Sequence, residues 1–69
     1  MIAVFKTNVL TKKDARELIK KLEEQFPTGL INFDLQDCDK ILRADTSENP
    51  ASIIIQTLNK HGFSCIELD

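Results

Sequence analysis

Apolar and polar positions change their period several times along the chain, and each change predicts an element. Residues 2–7, "IAVFKT", are β-branched and aromatic enough for a strand. Ala15, Leu18, Ile19, Leu22 and Phe26 then recur at helical spacing, with Lys12, Lys13, Arg16, Glu17, Lys20, Lys21, Glu23 and Glu24 mostly outside that stripe. Pro27 and Gly29 end this helix. Ile31, Phe33 and Leu35 next alternate with Asn32 and Asp34, the period of a half-buried strand. "QDCDK" is turn-like, and Ile41 to Ala44 begins a second strand, so the two read as a hairpin. Ala51, Ile54, Ile55 and Leu58 form a second helical stripe, Gly62 stops it, and "FSCIEL" is a last strand.

Both helix starts carry their own signals. Thr11 is placed to cap the first helix, its hydroxyl accepting from the third helical amide, where Asp14 stands. A carboxylate at that position also suits the positive end of the helix dipole. Asn49 can cap the second helix, and Pro50 suits a first helical position because it has no amide hydrogen to leave unpaired.

The order is therefore β-α-β-β-α-β, which two right-handed crossovers fold into an α+β ferredoxin-like sandwich: a four-stranded antiparallel sheet with two helices on one face. At 69 residues, positions 1–69 form one domain with a modest core. In this topology the first β-α junction, the hairpin and the loop before the last strand share one end of the sheet. Thr11 and Asp14, Asp37, Cys38 and Asp39, and His61 are thus expected on one rim. Cys38, His61 and Asp14 there form a candidate mixed-donor metal site, for copper or zinc. The plainer reading is that loops and caps use polar residues and hold no cofactor.

Composition narrows the function classes. With 42% hydrophobic residues and a net charge of -2, the chain is an ordinary globular one, and its basic runs stop at pairs, so nucleic acid is not an expected partner. No apolar run approaches the ~20 residues of a bilayer span, and the start lacks a secretory pattern, which predicts a cytoplasmic protein. Cys38 and Cys65 lie 27 residues apart, outside any CxxC pair, and are expected as free thiols. One His and two Gly provide neither a Ser/His/Asp set nor a phosphate loop, so the chain is not expected to be an enzyme.

With that order in hand, the chain resembles the heavy-metal-associated domain of copper metallochaperones and metal-pumping P-type ATPases. "GLINFDL" is similar to the family's Gly-Val-x-x-Val-x-Val strand, "LNKHGF" to its usual Ile-x-x-x-Gly-Tyr/Phe close, and Leu18 and Leu22 fit its first helix. The resemblance covers nearly the full length but not the family's Gly-Met-x-Cys-x-x-Cys motif. In register, Thr11 and Asp14 take the two cysteine positions, and Asn8-Val9 the Gly-Met pair. A hydroxyl and one carboxylate do not hold soft Cu(I), so the expected role is a non-catalytic protein-interaction module. Val9 can fill the packing role of the family's Met. The family register also places Phe5 on the open sheet face. With Ile66 and Leu68 pointing inward, Phe5, Ile41 and Cys65 would form an apolar patch there for another protein or a second copy of the chain. A small-ligand module of ACT type shares the same element order and is the alternative from a different class, although it usually has Gly in the first β-α loop.

Overall fold

Strand β1 (Ile2–Thr7) is one of the two inner strands of the sheet, paired on both sides. The computed structural model describes residues 1–68; Asp69 lies outside the described residues. After β1 come α1 (Lys12–Gln25), β2 (Leu30–Asp34), β3 (Ile41–Asp45), α2 (Ala51–Lys60) and β4 (Cys65–Leu68). The strands form one antiparallel sheet in the order β2-β3-β1-β4, so β2 and β4 are its edges. Helix α1 packs over β2, α2 packs over β4, and the two helices touch each other. This is the α+β ferredoxin-like arrangement that the alternation of periods predicts.

The core lies between the sheet and the helices. Ala3, Phe5, Ile31, Leu42, Ala44 and Cys65 meet Ala15, Leu18 and Leu22 of α1 and Ile54 and Leu58 of α2, with Val9 closing the end. Register accounts for the sheet's share, since residues directly opposite one another lie on one face. Phe5 sits opposite Leu42, Ala3 opposite Ala44 and Thr7 opposite Cys65.

This register corrects two of the orientations expected from sequence. Phe5 is fully buried and Cys65 is buried, whereas Ile2 is 64% and Ile66 61% exposed. Phe5 and Cys65 therefore point toward the helices, and the patch of Phe5, Ile41 and Cys65 does not exist. Of the three, only Ile41 lies on the open face, half-buried there. The reason is physical: β1 and β4 carry apolar residues on both parities, so alternation alone does not choose a face. The volume between two helices decides it, and the aromatic ring of the central strand fills that space best.

The helix ends are satisfied locally. Half of a capping box forms at α1: the Asp14 N–H donates to Thr11 Oγ1 (3.1 Å). Asp14, one methylene shorter than Glu, makes no return bond. A cap of this kind contributes about 1 kcal/mol. At α2 the Asn49 Oδ1 accepts from Ala51 N–H (3.1 Å), while Pro50 already has helical backbone angles and its carbonyl accepts from Ile54 N–H (3.0 Å). The α2 C-terminus closes as a Schellman motif, with Phe63 N–H bonding to the Leu58 carbonyl and Gly62 N–H to that of Asn59. Gly62 supplies the φ of +89° that this closure requires. No helix of the described residues is long and apolar enough to cross a membrane.

Candidate functional site

Two surfaces are left to consider once the core is set: the rim at the Thr7 end of the sheet and the open sheet face. The rim is held together by one buried hydroxyl. Thr7 is 5% exposed, and its Oγ1 donates to the Lys40 carbonyl (2.6 Å) and accepts from Val9 N–H (3.2 Å). Its own N–H donates to the Asp39 carbonyl (3.1 Å). Asn8 Oδ1 accepts from Ser64 N–H (2.8 Å), which ties in the loop before β4. The first β-α junction, the hairpin and the β4 loop thus meet at one end, as the topology predicts.

The rim's carboxylates serve its turns. Asp34 Oδ1 accepts from the amides of Gln36 (3.2 Å) and Asp37 (3.3 Å), and Asp37 Oδ1 from that of Asp39 (2.8 Å). Such Asx turns let short polar side chains stand in for missing backbone partners. Lys40 takes a left-handed conformation (φ 49°), and its ammonium donates to the Leu35 carbonyl (2.9 Å). Asp39 pairs with Lys6 at 3.6 Å across an exposed surface, an interaction of small net value.

Among the described residues, the His, Cys, Asp and Glu side chains that come together as a group of three are Asp37, Cys38 and Asp39, within 4.8 Å of one another. Asp14 and His61 are not in that group. The His61 Nδ1 lies 2.8 Å from the Thr57 carbonyl, one turn back along α2, and as the donor of that pair it closes the helix end. Asp14 stands at the α1 cap. Topology brings the three loops to one end without bringing Cys38, His61 and Asp14 into one donor set. In the cluster that does form, Asp37 and Asp39 are already engaged in a turn and an ion pair.

The two cysteines differ in chemistry. Cys38 is exposed and Cys65 buried, both as free thiols. Burial pushes the Cys65 thiol up from its ordinary 9.0 to about 11, because the thiolate would lose its hydration. Cys65 therefore stays protonated at neutral pH. In the folded protein, iodoacetamide should modify Cys38 and spare Cys65, with the second adduct appearing only in denaturant. The pH dependence has a definite sign: the unfolded thiol ionises from about 9 and the folded one only near 11, so stability held below pH 9 is lost as pH rises through that window. Cys65→Ala should flatten that part of the alkaline slope, as denaturant midpoints measured between pH 8 and 11 would show. Equal alkylation of both thiols in the native state would contradict this account.

The open face has its own composition. Successive rows across β2, β3, β1 and β4 read Leu30-Asp45-Ile2, Asn32-Arg43-Val4-Leu68 and Asp34-Ile41-Lys6-Ile66. Ile2, Val4, Leu68 and Ile66 form one apolar corner on the adjacent strands β1 and β4, and Ile66 is 61% exposed. The sequence predicts an apolar patch on this face, and the register builds it from the other parity of both strands. On the helical side, Ala15, Ile19, Phe33 and Leu35 floor a groove between α1 and the edge strand β2, with Lys12 and Arg16 along one bank. The helical stripe holds Ile19, but only the packing of α1 over β2 turns it into one wall of a groove. No protein-family model matches the chain, and no curated protein or solved structure is significantly similar to it.

Proposed function

We propose that the chain is a heavy-metal-associated-like domain without the cysteine pair, working in the cytoplasm as a non-catalytic protein-interaction module. Its docking surface is the open sheet face. One observation carries the reading: the apolar corner of Ile2, Val4, Ile66 and Leu68, contiguous across two paired strands and uncovered by either helix. A contiguous apolar surface with charged neighbours, here Lys6, Arg43 and Asp45, is the usual make-up of a protein contact. Two local features support the family part of the reading. Val9 is fully buried where that family packs its Met, and Thr11 and Asp14 form a helix cap where it has cysteines.

A photo-crosslinking residue placed at Ile66 should give a discrete adduct in cells. The same residue at Glu24, exposed on α1, should not. Leu68→Asp should remove the Ile66 adduct while shifting stability by less than about 0.5 kcal/mol, since the position lies at the surface. Adducts of the same size and number from both positions would defeat the reading.

A further inference from the structure

We infer that a second copy of this chain pairs with the free edge of β2, joining two sheets into one of eight strands. The inference is independent of the open-face reading above. It begins with the direction of the backbone groups on β2. Met1 and Thr46 exchange both of their backbone hydrogen bonds, which marks them as a hydrogen-bonded pair of the antiparallel ladder. Such pairs alternate along the strands. The odd residues of β1 therefore bond toward β3, as Thr7 N–H does in reaching Asp39. The even residues of β3, Leu42 and Ala44, bond to β1, and its odd residues, Ile41, Arg43 and Asp45, bond to β2. Through the register Asp34↔Ile41, Asn32↔Arg43 and Leu30↔Asp45, the even residues of β2 are used up. The N–H and C=O groups of Ile31 and Phe33 are left pointing off the edge.

Little on this edge discourages pairing. Natural edges are protected by charged side chains, Pro, a bulge or extreme shortness, and the five residues of "LINFD" carry one charge, Asp34 at the strand's end, and none of the others. A two-fold axis at Asn32 sets Ile31 opposite the partner's Phe33 and Phe33 opposite the partner's Ile31. All four outward groups of each strand are then satisfied. A register centred on Phe33 would instead need the Leu35 carbonyl, which already accepts from Lys40.

Charge favours a second copy over an unrelated strand. With β2 paired to β2 about this axis, the two α1 helices run side by side and antiparallel. The wall that each presents holds Arg16, Glu17, Ile19, Lys20 and Glu23, lining the outer side of α1. Its outermost charges are of opposite sign, Arg16 toward the N-terminus and Glu23 toward the C-terminus, with Glu17 and Lys20 between them, so its two ends complement each other under a two-fold axis. Ile19 meets its counterpart near the axis, and Arg16 meets the opposing Glu23 on each side. Among the described residues, neither Arg16 nor Glu23 has an ion-pair partner within the chain. The apolar groove floor of Ile19, Phe33 and Leu35 is covered in the same step.

The test is sedimentation equilibrium of the full chain over a concentration series, with hydrogen exchange at single amides. The wild type should show a monomer–dimer equilibrium, with the Ile31 and Phe33 amides gaining protection as concentration rises. Arg16→Glu and Glu23→Arg should each raise the dimer dissociation constant about tenfold, because two surface pairs per dimer become repulsive. The double variant should restore it. Both substitutions are at exposed positions, so the monomer should fold in the single and double variants. Ile66→Asp should leave the dimer unchanged, which separates this contact from the open face. A protein that stays monomeric at NMR concentrations overturns the inference. So does a dimer that Ile66→Asp abolishes and the charge swap does not move.

Discussion

Phe5→Ala should cost about 3–5 kcal/mol, the range for truncating a buried aromatic side chain. The side chain is fully buried in the central strand, opposite Leu42 and within the cluster that holds Leu18, Leu22, Ile54 and Leu58. A domain of 69 residues has a total stability of only about 3–10 kcal/mol. The variant should therefore lie near its unfolding midpoint at room temperature, which urea titration by circular dichroism would show directly. The informative control is Ile2→Ala on the same strand. Ile2 is 64% exposed, and its truncation should cost less than about 0.5 kcal/mol. A larger loss at Ile2 than at Phe5 would mean that β1 presents the opposite face to the helices.

Thr7→Val ranks second. The substitution keeps the shape and removes the hydroxyl that joins three segments of the rim. Lys40 C=O loses its donor and Val9 N–H its acceptor. Val9 is fully buried, so its amide has no ready access to water. An unmade hydrogen bond of this kind costs about 1–3 kcal/mol, whereas the bond itself adds less to stability than its loss removes. The loss should exceed the ~1 kcal/mol of the exposed Thr11 cap, because water can replace the partner of an exposed amide. Native-state hydrogen exchange should place the opening at the rim, with the Val9 amide exchanging faster while those of α2 keep their protection. A variant as stable as the wild type would remove Thr7 from the centre of the rim.

How legible the molecule is in its sequence depends on how local the determining physics is. The caps at Thr11 and Asn49 and the stop at Gly62 act within a few residues, and each is visible as a residue type at a spacing. The helical stripe of α1 was legible because Ala15, Leu18 and Leu22 leave no second apolar face to compete. Strands β1 and β4 were not legible in this sense. Ile2 and Val4 compete with Ala3 and Phe5, and Ile66 and Leu68 compete with Cys65. The candidate donors Cys38, His61 and Asp14 share an end of the sheet that topology predicts. Whether side chains at one end reach one another is a matter of ångströms, which connectivity does not set.

The sequence by itself determined the element order, their approximate limits, the caps and hence the ferredoxin-like α+β architecture, because periodicity and end signals act over a turn or a strand. Only the tertiary structure decided which face of β1 and β4 is inside, since that choice is made by the volume left between two helices and the sheet. It also decided that Thr7 holds the rim, that Ile31 and Phe33 turn their backbone groups off the β2 edge, and that Ile2, Val4, Ile66 and Leu68 stand together in the open. Each of these is a relation between residues distant in the chain, fixed by strand register and packing and not by any local pattern.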